Sequence, residues 1–242
     1  MGARILVDEQ GRQFYVKNPK EDFHTQYGYV SAEDLKKQAG ADVSTNTGKG
    51  FTLLKASFID GYMKIARAPQ IIPRKDIALI IAETGVGKDS IVVDAGTGSG
   101  ALAISLSRIA KQVVSYELRE DFAKVAEKNK AFLAVDNLTI KQKDVYGGID
   151  EKGVDLITLD LPEPWKALPA AAESLAVGGF LVSFSPTIPQ VMDFVKALAP
   201  HFVHLKTSEL IERDWDVAER KVRPRSMTIG HSGFLTFARR LR

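Results

Sequence analysis

A glycine-rich turn is the first place where this chain could do chemistry. Residues 94–100 read DAGTGSG and follow an apolar run that begins at Ile91. Glycines at 96, 98 and 100 allow a sharp turn and bring backbone amides close to a ligand, where a Cβ would obstruct them. The helix expected next points its positive N-terminus at the same place. The turn predicts a nucleotide-bearing cofactor, and alone it fits either NAD or S-adenosylmethionine (SAM).

Three acidic residues at successive predicted strand ends favour SAM. Asp94 directly precedes the turn, Glu117 ends the second strand and Asp144 follows the third. The carboxyl ends of parallel strands meet at one edge of a sheet, where ligands bind. Asp94 can anchor turn amides or meet the cationic amino acid portion of SAM, Glu117 can accept both ribose hydroxyls, and Asp144 can accept the adenine amino group or cap a turn. NAD sites usually carry an apolar residue where Asp94 stands.

The end of the fourth predicted strand carries a further acid on a stiff loop. Asp160 is followed by LPEPW, with prolines at 162 and 164 that restrict the backbone beside the methyl donor. Methyltransferases that act on exocyclic amines often place Asn or Asp, two prolines and an aromatic residue here. This chain keeps the acid and the prolines at a different spacing. We predict Asp160 as the catalytic residue and expect Glu163 to cap the next helix.

Apolar strands alternate with helical patterns from about residue 65, which predicts an α/β fold with a parallel sheet. The predicted strands are Ile91–Ala95, Gln112–Glu117, Leu138–Lys143, Val154–Asp160 and Phe180–Ser185. The predicted helices are Asp76–Glu83, Ala101–Ala110, Glu120–Ala134, Leu168–Val177 and Pro189–Leu198, the fourth of them ending at the pair Gly178-Gly179.

The C-terminal segment breaks this alternation. His204–Ile211 and Thr228–Arg239 both look like strands, and without a helix between them they predict an antiparallel pair. The expected fold is therefore the Rossmann-like, seven-stranded mixed sheet of a class I methyltransferase. We assign it to a SAM-binding catalytic domain of residues 65–242, preceded by a small β-rich domain of residues 1–64 that opens with a hairpin over residues 4–17.

Composition excludes several chemistries. The chain has no cysteine, which removes disulfides, cysteine-ligated zinc and thiolate catalysis, and we predict no metal site. Neither a signal peptide nor a membrane-spanning apolar run is visible, so we expect a cytoplasmic protein.

The net charge of +3 is unevenly distributed. Residues 201–242 hold 9 basic and 5 acidic side chains, and the densest basic run contains Arg220, Lys221, Arg223 and Arg225. This run is either a solvated loop or an electrostatic footprint for phosphate.

Motifs along nearly the whole chain point to one family. The chain resembles the tRNA (adenine-N1)-methyltransferases that modify the T-loop, at adenine 58 and in some archaea also at adenine 57. LDLPEPW and the ending GHSGFL at 230–235 are the most specific motifs. The others are Phe51–Leu54 with Asp60, residues 67–72 before Lys75-Asp76, DAGTGSGAL, Tyr116-Glu117, Ser185–Thr187 with Gln190-Val191, Arg213–Trp215 and Arg223-Pro224.

The resemblance implies specific roles for residues of this sequence. Glu117 would bind the ribose, Asp144 the adenine of SAM, and Asp160 the target adenine at N6 and N1. Gln70 would lie along the cofactor. The implied cofactor site further includes Ser99, Gly100, Ala101 and Leu102 on the amino acid portion of SAM, together with Leu118 and Val145. The basic run and the N-terminal domain would grip tRNA, and the family suggests a homotetramer.

One departure from the family concerns the acceptor. Pro73 and Arg74 stand where the family usually has an aromatic residue or His and then Pro, which leaves the choice between adenines 57 and 58 open. Phe58, Tyr62 or Trp165 could supply stacking instead, although each is more often a core residue.

Three alternatives remain at the level of sequence. The first is another class I methyltransferase, such as a protein isoaspartyl enzyme. The second is a non-catalytic tRNA-binding subunit, which the intact turn and loop acid oppose. The third is an NAD-linked oxidoreductase.

Overall fold

The computed structural model describes residues 2–67, 71–227 and 230–242. Chain contacts divide the protein into two compact units, Met1–Ile65 and Ala66–Arg242. Gln70 and the first two residues of the predicted strand Thr228–Arg239 lie outside the described residues.

The first unit is built from short antiparallel strands. Its four-stranded sheet has the order β2-β1-β6-β5, and β3 and β4 form a separate hairpin. The predicted hairpin over residues 4–17 is confirmed, because Ile5 pairs with Tyr15. The elements are β1 Arg4–Val7, β2 Gln13–Val16, β3 Phe23–Thr25, β4 Gly28–Val30, β5 Asp42–Ser44, β6 Gly50–Lys55 and α1 Phe58–Tyr62. Its core includes Leu6, Val16, Leu35, Phe51 and Leu53.

The second unit contains the predicted seven-stranded mixed sheet. Its strands are β7 Ile91–Ala95, β8 Gln112–Glu117, β9 Leu138–Gln142, β10 Val154–Leu159, β11 Leu175–Ser185, β12 Phe202–Ser208 and, after a small hairpin of β13 Trp215–Ala218 and β14 Lys221–Pro224, β15 Phe234–Arg240. The order is β12-β15-β11-β10-β7-β8-β9, with β7 to β11 parallel and β15 antiparallel to both its neighbours. The carboxyl ends of β7, β8, β9 and β10 therefore lie along one edge.

Five helices accompany this sheet in the described residues. They are α2 Arg74–Thr84, α3 Ala101–Ser107, α4 Glu120–Phe132, α5 Leu168–Ser174 and α6 Ile188–Ala197. Most agree with the predicted helices to within a few residues at each end. The sheet core is made of β-branched and leucine side chains such as Val93, Ile157 and Leu181, each with no exposed surface.

The predicted helix Leu168–Val177 with a glycine cap is wrong beyond Ser174. Leu175 already pairs with Val154 in β11, and the next paired residues are Leu156 and Phe180, so the chain between them bulges. Gly179 lies in this bulge, where an added Cβ would come within 3.0 Å of the Val154 carbonyl oxygen. Gly179 therefore marks a close backbone approach inside a strand, Gly178 takes a positive φ of +84°, and neither residue caps a helix.

The C-terminal predictions also need correction. The antiparallel pair exists, but its strands have different bounds from those predicted. The first strand, β12, ends at Ser208 and not at Ile211, and the second, β15, begins at Phe234 and not at Thr228. The basic run at 220–225 is not a loop, because most of it lies on the hairpin β13–β14.

Candidate active site

A cavity of about 530 Å³ opens at the carboxyl edge of the parallel strands, within the roughly 300–1,000 Å³ range of small-molecule sites. It is lined by both glycine-turn residues 96 and 98 and by three of the acids selected from sequence, Glu117, Asp144 and Asp160. A smaller adjoining cavity shares Asp160 and the turn with it, and adds Ile71, Ile72, Ser99, Ala101 and Leu102. The two cavities therefore meet at Asp160.

The glycine turn lies tight against its neighbours. Gly96 has φ +91°, and a Cβ there would overlap the carbonyl oxygen of Asp160. The amides of Gly96 and Thr97 both donate to the carbonyl oxygen of Tyr116, at 3.0 and 3.2 Å. The turn is thus pinned to the end of β8 and pressed against the end of β10, which only a residue without a side chain permits.

Asp94 is buried beneath the turn. Its carboxylate accepts hydrogen bonds from Ser115 Oγ and Thr158 Oγ1, both at 2.7 Å. Burial raises the pKa of Asp94 to about 6; the two hydroxyl donors oppose that rise, and the charge of Glu117 adds to it. Among the described contacts it bonds no turn amide and lines neither cavity, so it braces the strands under the cofactor site.

Glu117 takes the anchoring contact that was expected of Asp94. Its Oε2 accepts a hydrogen bond from Gly98 N and its Oε1 accepts one from Arg119 N, each at 2.9 Å. The side chain is 8% exposed and faces the larger cavity. Since a carboxylate has about four acceptor positions, Glu117 can hold the turn and still accept hydroxyl groups from a ligand.

Asp144 performs the capping role that the sequence left open. It accepts a hydrogen bond from Tyr146 N at 2.9 Å and caps the short 3-10 turn Val145–Gly147. It also lines the cavity, together with Val145 and the exposed Leu118. The two interpretations of Asp144 are therefore compatible.

A charged cluster behind this wall was missed by sequence reasoning. Lys141 bonds Asp150 at 2.9 Å and Glu151 at 2.6 Å, and the hydroxyl of Tyr116 donates to Glu151 at 2.6 Å. Burial and the bond to Glu151 raise the pKa of Tyr116 to about 12. The alternation of Lys141 and Lys143 before Asp150 and Glu151 was the available signal.

Asp160 differs from the other acids of the site. None of the described residues donates a hydrogen bond to its carboxylate. Burial, together with the nearby negative charges of Asp94 and Glu117, raises the pKa of Asp160 to about 7. A largely buried carboxylate without a donor is costly unless a ligand supplies one. Asp160 is therefore the side chain best placed to receive a bound molecule.

The loop after Asp160 is held by α6. Gln190 Nε2 donates to the Pro162 carbonyl oxygen at 3.1 Å, and Thr187 Oγ1 donates to Gln190 Oε1 at 2.8 Å. Glu163 occupies the N-cap position of the next turn but makes no side-chain capping bond; its carboxylate pairs with Lys166 at 2.6 Å instead. The predicted capping by Glu163 is therefore absent.

The start of α2 is held by a buried ion pair. Lys75 Nζ lies 2.8 Å from both carboxylate oxygens of Asp76, which has no exposed surface, and Ser232 Oγ bonds to both side chains. Pro73 is the N-cap residue of α2 and Arg74 its first residue. The family-like motifs around 75 and 232 are thus connected in space, which their spacing of 157 residues did not reveal.

The aromatic residues considered for stacking have other contacts. Phe58 packs against Tyr62 within the first unit, with ring centroids 5.8 Å apart. Trp165 is half-buried against the core of the second unit.

The hairpin β13–β14 exposes both charge and apolar surface. Arg220, Lys221 and Arg223 are exposed, whereas Arg225 pairs with Asp216 at 3.0 Å and Asp214 at 3.5 Å. On one face the pairs Trp215–Pro224 and Val217–Val222 form an apolar strip, with Val217 74% exposed.

Within the part of the chain that the structure describes, no three His, Cys, Asp or Glu side chains are grouped to hold a metal ion. No helix among these residues is long and apolar enough to cross a membrane.

The sheet order, the glycine turn after the central strand β7 and the acids at the following strand ends define a class I SAM-dependent methyltransferase. A solved SAM-dependent O-methyltransferase of Thermotoga maritima superposes with a TM-score of 0.88 and 31% identity, covering 99% of this chain and 93% of that one. The tRNA (m1A58) methyltransferase TrmI of Aquifex aeolicus superposes with a TM-score of 0.84 and 25% identity, over 99% and 97% of the two chains.

Sequence relatives narrow the class. The tRNA (adenine(57)-N(1)/adenine(58)-N(1))-methyltransferase TrmI of Methanocaldococcus jannaschii is 34% identical, covering 98% of this chain and 94% of its own. The tRNA (adenine(58)-N(1))-methyltransferase TrmI of Thermus thermophilus is 33% identical, over 99% and 97%. Residues 63–227 match the family described as tRNA methyltransferase complex GCD14 subunit. This chain belongs to that family of tRNA methyltransferases.

Proposed function

We propose that this chain is a SAM-dependent tRNA methyltransferase that forms 1-methyladenosine at T-loop position 58, with position 57 as a second acceptor. The observation that carries the proposal is the largely buried carboxylate of Asp160, which has no donor among the described residues and faces a cavity also lined by Glu117. Full-length relatives that methylate adenine N1 in tRNA support the same acceptor.

The cavity suits SAM in shape and donor set. Glu117 would accept the ribose hydroxyls, while Leu118, Asp144 and Val145 would enclose the adenine. The turn glycines 96, 98 and 100 leave room for close approach, and the amino acid portion would lie against Ser99, Ala101 and Leu102, which line the adjoining cavity. Asp94 would support the cofactor site from beneath the turn through its bonds to the neighbouring strands. Gln70 lies outside the described residues, and we keep its proposed place along the cofactor.

The residues at the meeting point of the two cavities would direct the reaction. SAM, when bound, supplies an electrophilic methyl group. Adenine N1 already carries a lone pair, so no strong base is required, only in-line placement within roughly 3–3.5 Å of the methyl carbon. Asp160 would accept a hydrogen bond from the adenine N6 amino group and stabilise the positive charge that develops on the purine.

The target base must leave its stack to reach Asp160. A T-loop adenine lies stacked in folded tRNA, and flipping it costs about a few kcal/mol. The exposed cations Arg220, Lys221 and Arg223 on the hairpin would bind the phosphate backbone, and Arg225 would add to this charge beside its acidic partners. The N-terminal domain of residues 1–64 would extend the tRNA contact beyond the catalytic domain of residues 65–242.

Self-association is the second part of the proposal. The apolar strip of Trp215, Val217, Val222 and Pro224 is exposed on the single chain, which is typical of a surface covered in an assembly. We propose a homotetramer, working in the cytoplasm where its tRNA substrate is processed. Light scattering of the purified protein measures this mass, and Val217→Lys should lower it.

Mass spectrometry of digested transcripts tests the activity. Transcripts with adenine at 57, at 58 or at both, incubated with SAM, should gain 1-methyladenosine at 58, and position 57 is scored in the same digest. Unmodified T-loop adenines in tRNA from the protein's own source would overturn the acceptor. Calorimetry with S-adenosylhomocysteine and NADH separates a SAM site from an NAD site, and an isoaspartyl peptide tests the protein-methylating alternative.

A further inference from the structure

Asn129 is a buried polar residue of α4 that uses its whole side-chain amide. Its Nδ2 donates to the carbonyl oxygens of Ala66 and Ser99, and its Oδ1 accepts a hydrogen bond from Ala66 N, with all three distances 2.8 Å. The residue is 3% exposed. An asparagine amide has two donor hydrogens and one acceptor oxygen, so each of these groups is occupied by backbone.

One of the two partners of Asn129 belongs to the wall of a cavity. Ser99 lines the smaller cavity directly, and the other partner, Ala66, precedes in the chain two residues that line the same cavity, Ile71 and Ile72. Asn129 itself lines neither cavity. Its position allows it to fix the distance between the glycine turn and Ala66 without touching a ligand.

Helix α4 is shaped to come close to the turn. Ala123, Ala126 and Asn129 share its buried face at a spacing of three residues. A Cβ on Gly100 would lie 3.3 Å from the Cβ of Ala126, so small residues on both sides allow the close contact that Asn129 then secures.

Glu117 holds the same turn from the other side. It accepts from Gly98 N, one residue before the carbonyl that Asn129 bonds. Glu117 faces the larger cavity, where ribose hydroxyls would compete for its oxygens, whereas Asn129 is removed from that competition. Of these two side-chain anchors of the turn, Glu117 is exposed to competition from a ligand and Asn129 is not.

We propose that Asn129 is a positioning residue for SAM, which keeps the glycine turn at Ser99 and the backbone at Ala66 at the separation that the amino acid portion of the cofactor requires. The proposal rests on the proposed function. A buried carbonyl or amide that loses its partner seeks another by moving, and small displacements of a binding wall are expensive in affinity.

Asn137 provides a matched control. It is a half-buried asparagine whose Nδ2 donates to the carbonyl oxygens of Ser107 and Ala110, at 2.8 and 3.0 Å, and it lines neither cavity. Asn129→Ala and Asn137→Ala thus remove similar bonds at different places. We expect both to lower Tm, but only Asn129→Ala to raise the calorimetric Kd for SAM, by about tenfold, against less than twofold for Asn137→Ala.

A second variant, Asn129→Asp, keeps the proposal testable if Asn129→Ala does not fold. Asn129→Asp retains the acceptor for Ala66 N and loses both donors, so the Kd for SAM should still rise several-fold, and KM for tRNA should stay unchanged. Equal SAM affinity in the wild type and the folded Asn129 variants would overturn the positioning role alone. No binding of SAM by the wild-type chain would overturn the proposed function, and this role with it.

Discussion

The active site and the hairpin β13–β14 are two charged regions of the second unit that differ in their exposure to water. In and directly beneath the cavity three carboxylates are withdrawn from water. Asp94, beneath the turn, accepts from two hydroxyls, Glu117 accepts from two amides, and Asp160 accepts from none of the described groups. On the hairpin every residue of both strands is exposed, and Arg225 pairs with two acids in water.

This difference separates single-residue effects from collective ones. In a poorly solvated site a carboxylate loses its hydration and also feels its charged neighbours strongly. Burial first, and neighbouring negative charge second, therefore raise the pKa of Asp94 to about 6 and that of Asp160 to about 7. In water each charge is screened within about 10 Å at 0.1 M salt, so the hairpin cations act by number. Substitutions should therefore be severe and residue-specific in the cavity, and graded and salt-dependent on the hairpin.

The largest effect is expected at Asp160. Asp160→Ala removes the acceptor for adenine N6 and the stabilising charge, so kcat should fall by about 10³-fold, the scale of a lost electrostatic contact in a transition state. The Kd for SAM should stay within about threefold. Asp155→Asn is the control, since Asp155 lies at the other end of β10 and bonds only Ile91 N among the described contacts. Wild-type turnover by Asp160→Ala would refute the assigned role.

A smaller but still large effect is expected at Glu117. Glu117→Gln replaces a charged acceptor and sets its amide against Gly98 N or Arg119 N, both donors. Two charge-assisted bonds are weakened, so the Kd for SAM should rise by about 100-fold. Asp144→Asn keeps an acceptor for Tyr146 N and should change the Kd only a few-fold. Calorimetry measures the Kd for SAM of both variants. Equal changes in Kd would show that Glu117 contributes no more to SAM binding than Asp144, which caps a turn.

The hairpin should respond collectively. Replacing Arg220, Lys221 and Arg223 together by Ala should raise KM for tRNA about tenfold at 0.1 M salt and reduce the slope of log affinity against log salt by about 2 to 3. Arg225→Ala should change KM by about twofold, because its charge is already offset by Asp214 and Asp216. The Kd for SAM serves as the control and should not move. An unchanged slope of log affinity against log salt would show that tRNA does not bind to the hairpin.

The smallest effect concerns pH. Because the pKa of Asp160 is raised to about 7, the reactive carboxylate becomes populated as pH rises, and kcat/KM for SAM should be about threefold higher at pH 7.5 than at pH 6.5. Asp160→Asn should abolish this step, so that its residual kcat/KM for SAM is the same at the two pH values. A kcat/KM that does not change with pH would show that Asp160 does not ionise between pH 6.5 and pH 7.5.

The stability of the folded protein should fall as pH rises, in contrast to kcat/KM, which should increase. A carboxyl whose pKa in the folded protein exceeds its ordinary value of 3.8 stabilises the folded state fully below that value, and this contribution is lost as pH rises through about 7. The free energy of unfolding should therefore decline over this range in the absence of ligand. Asp160→Asn should flatten the decline, which chemical denaturation at several pH values measures.

The sequence predicted which acidic side chains lie at the sheet edge, but it did not predict the hydrogen bonds that they make. Glu117, Asp144 and Asp160 were expected at one edge from their places after apolar runs, and they line one cavity. That Asp94 braces neighbouring strands while Glu117 bonds the turn amide could not be predicted, because both are acids at the turn and only side-chain direction distinguishes them. Asn129 gave no signal, since a polar residue in an amphipathic helix usually faces water.

One wrong prediction and one alternative that the structure does not support have a common cause. The helix predicted up to Val177 and the loop considered for residues 220–225 both rest on local composition, but Leu175 pairs with Val154 and Trp215 pairs with Pro224. Strand pairing overrides local preference when it satisfies backbone groups and, at Leu175, buries an apolar side chain. The division into domains at residue 64 stays a prediction about folding units, beside the contact boundary after Ile65.

By itself the sequence determined the alternation of strands and helices, the glycine turn and the family, because periodicity, backbone freedom and motif spacing are local properties. The tertiary structure alone decided which side chains meet. The bonds from Lys75 to Ser232, from Asn129 to Ala66 and from Gln190 to Pro162 join positions 157, 63 and 28 residues apart. Such contacts arise because folding around the sheet brings together segments that are distant along the chain, and their buried polar groups must find partners.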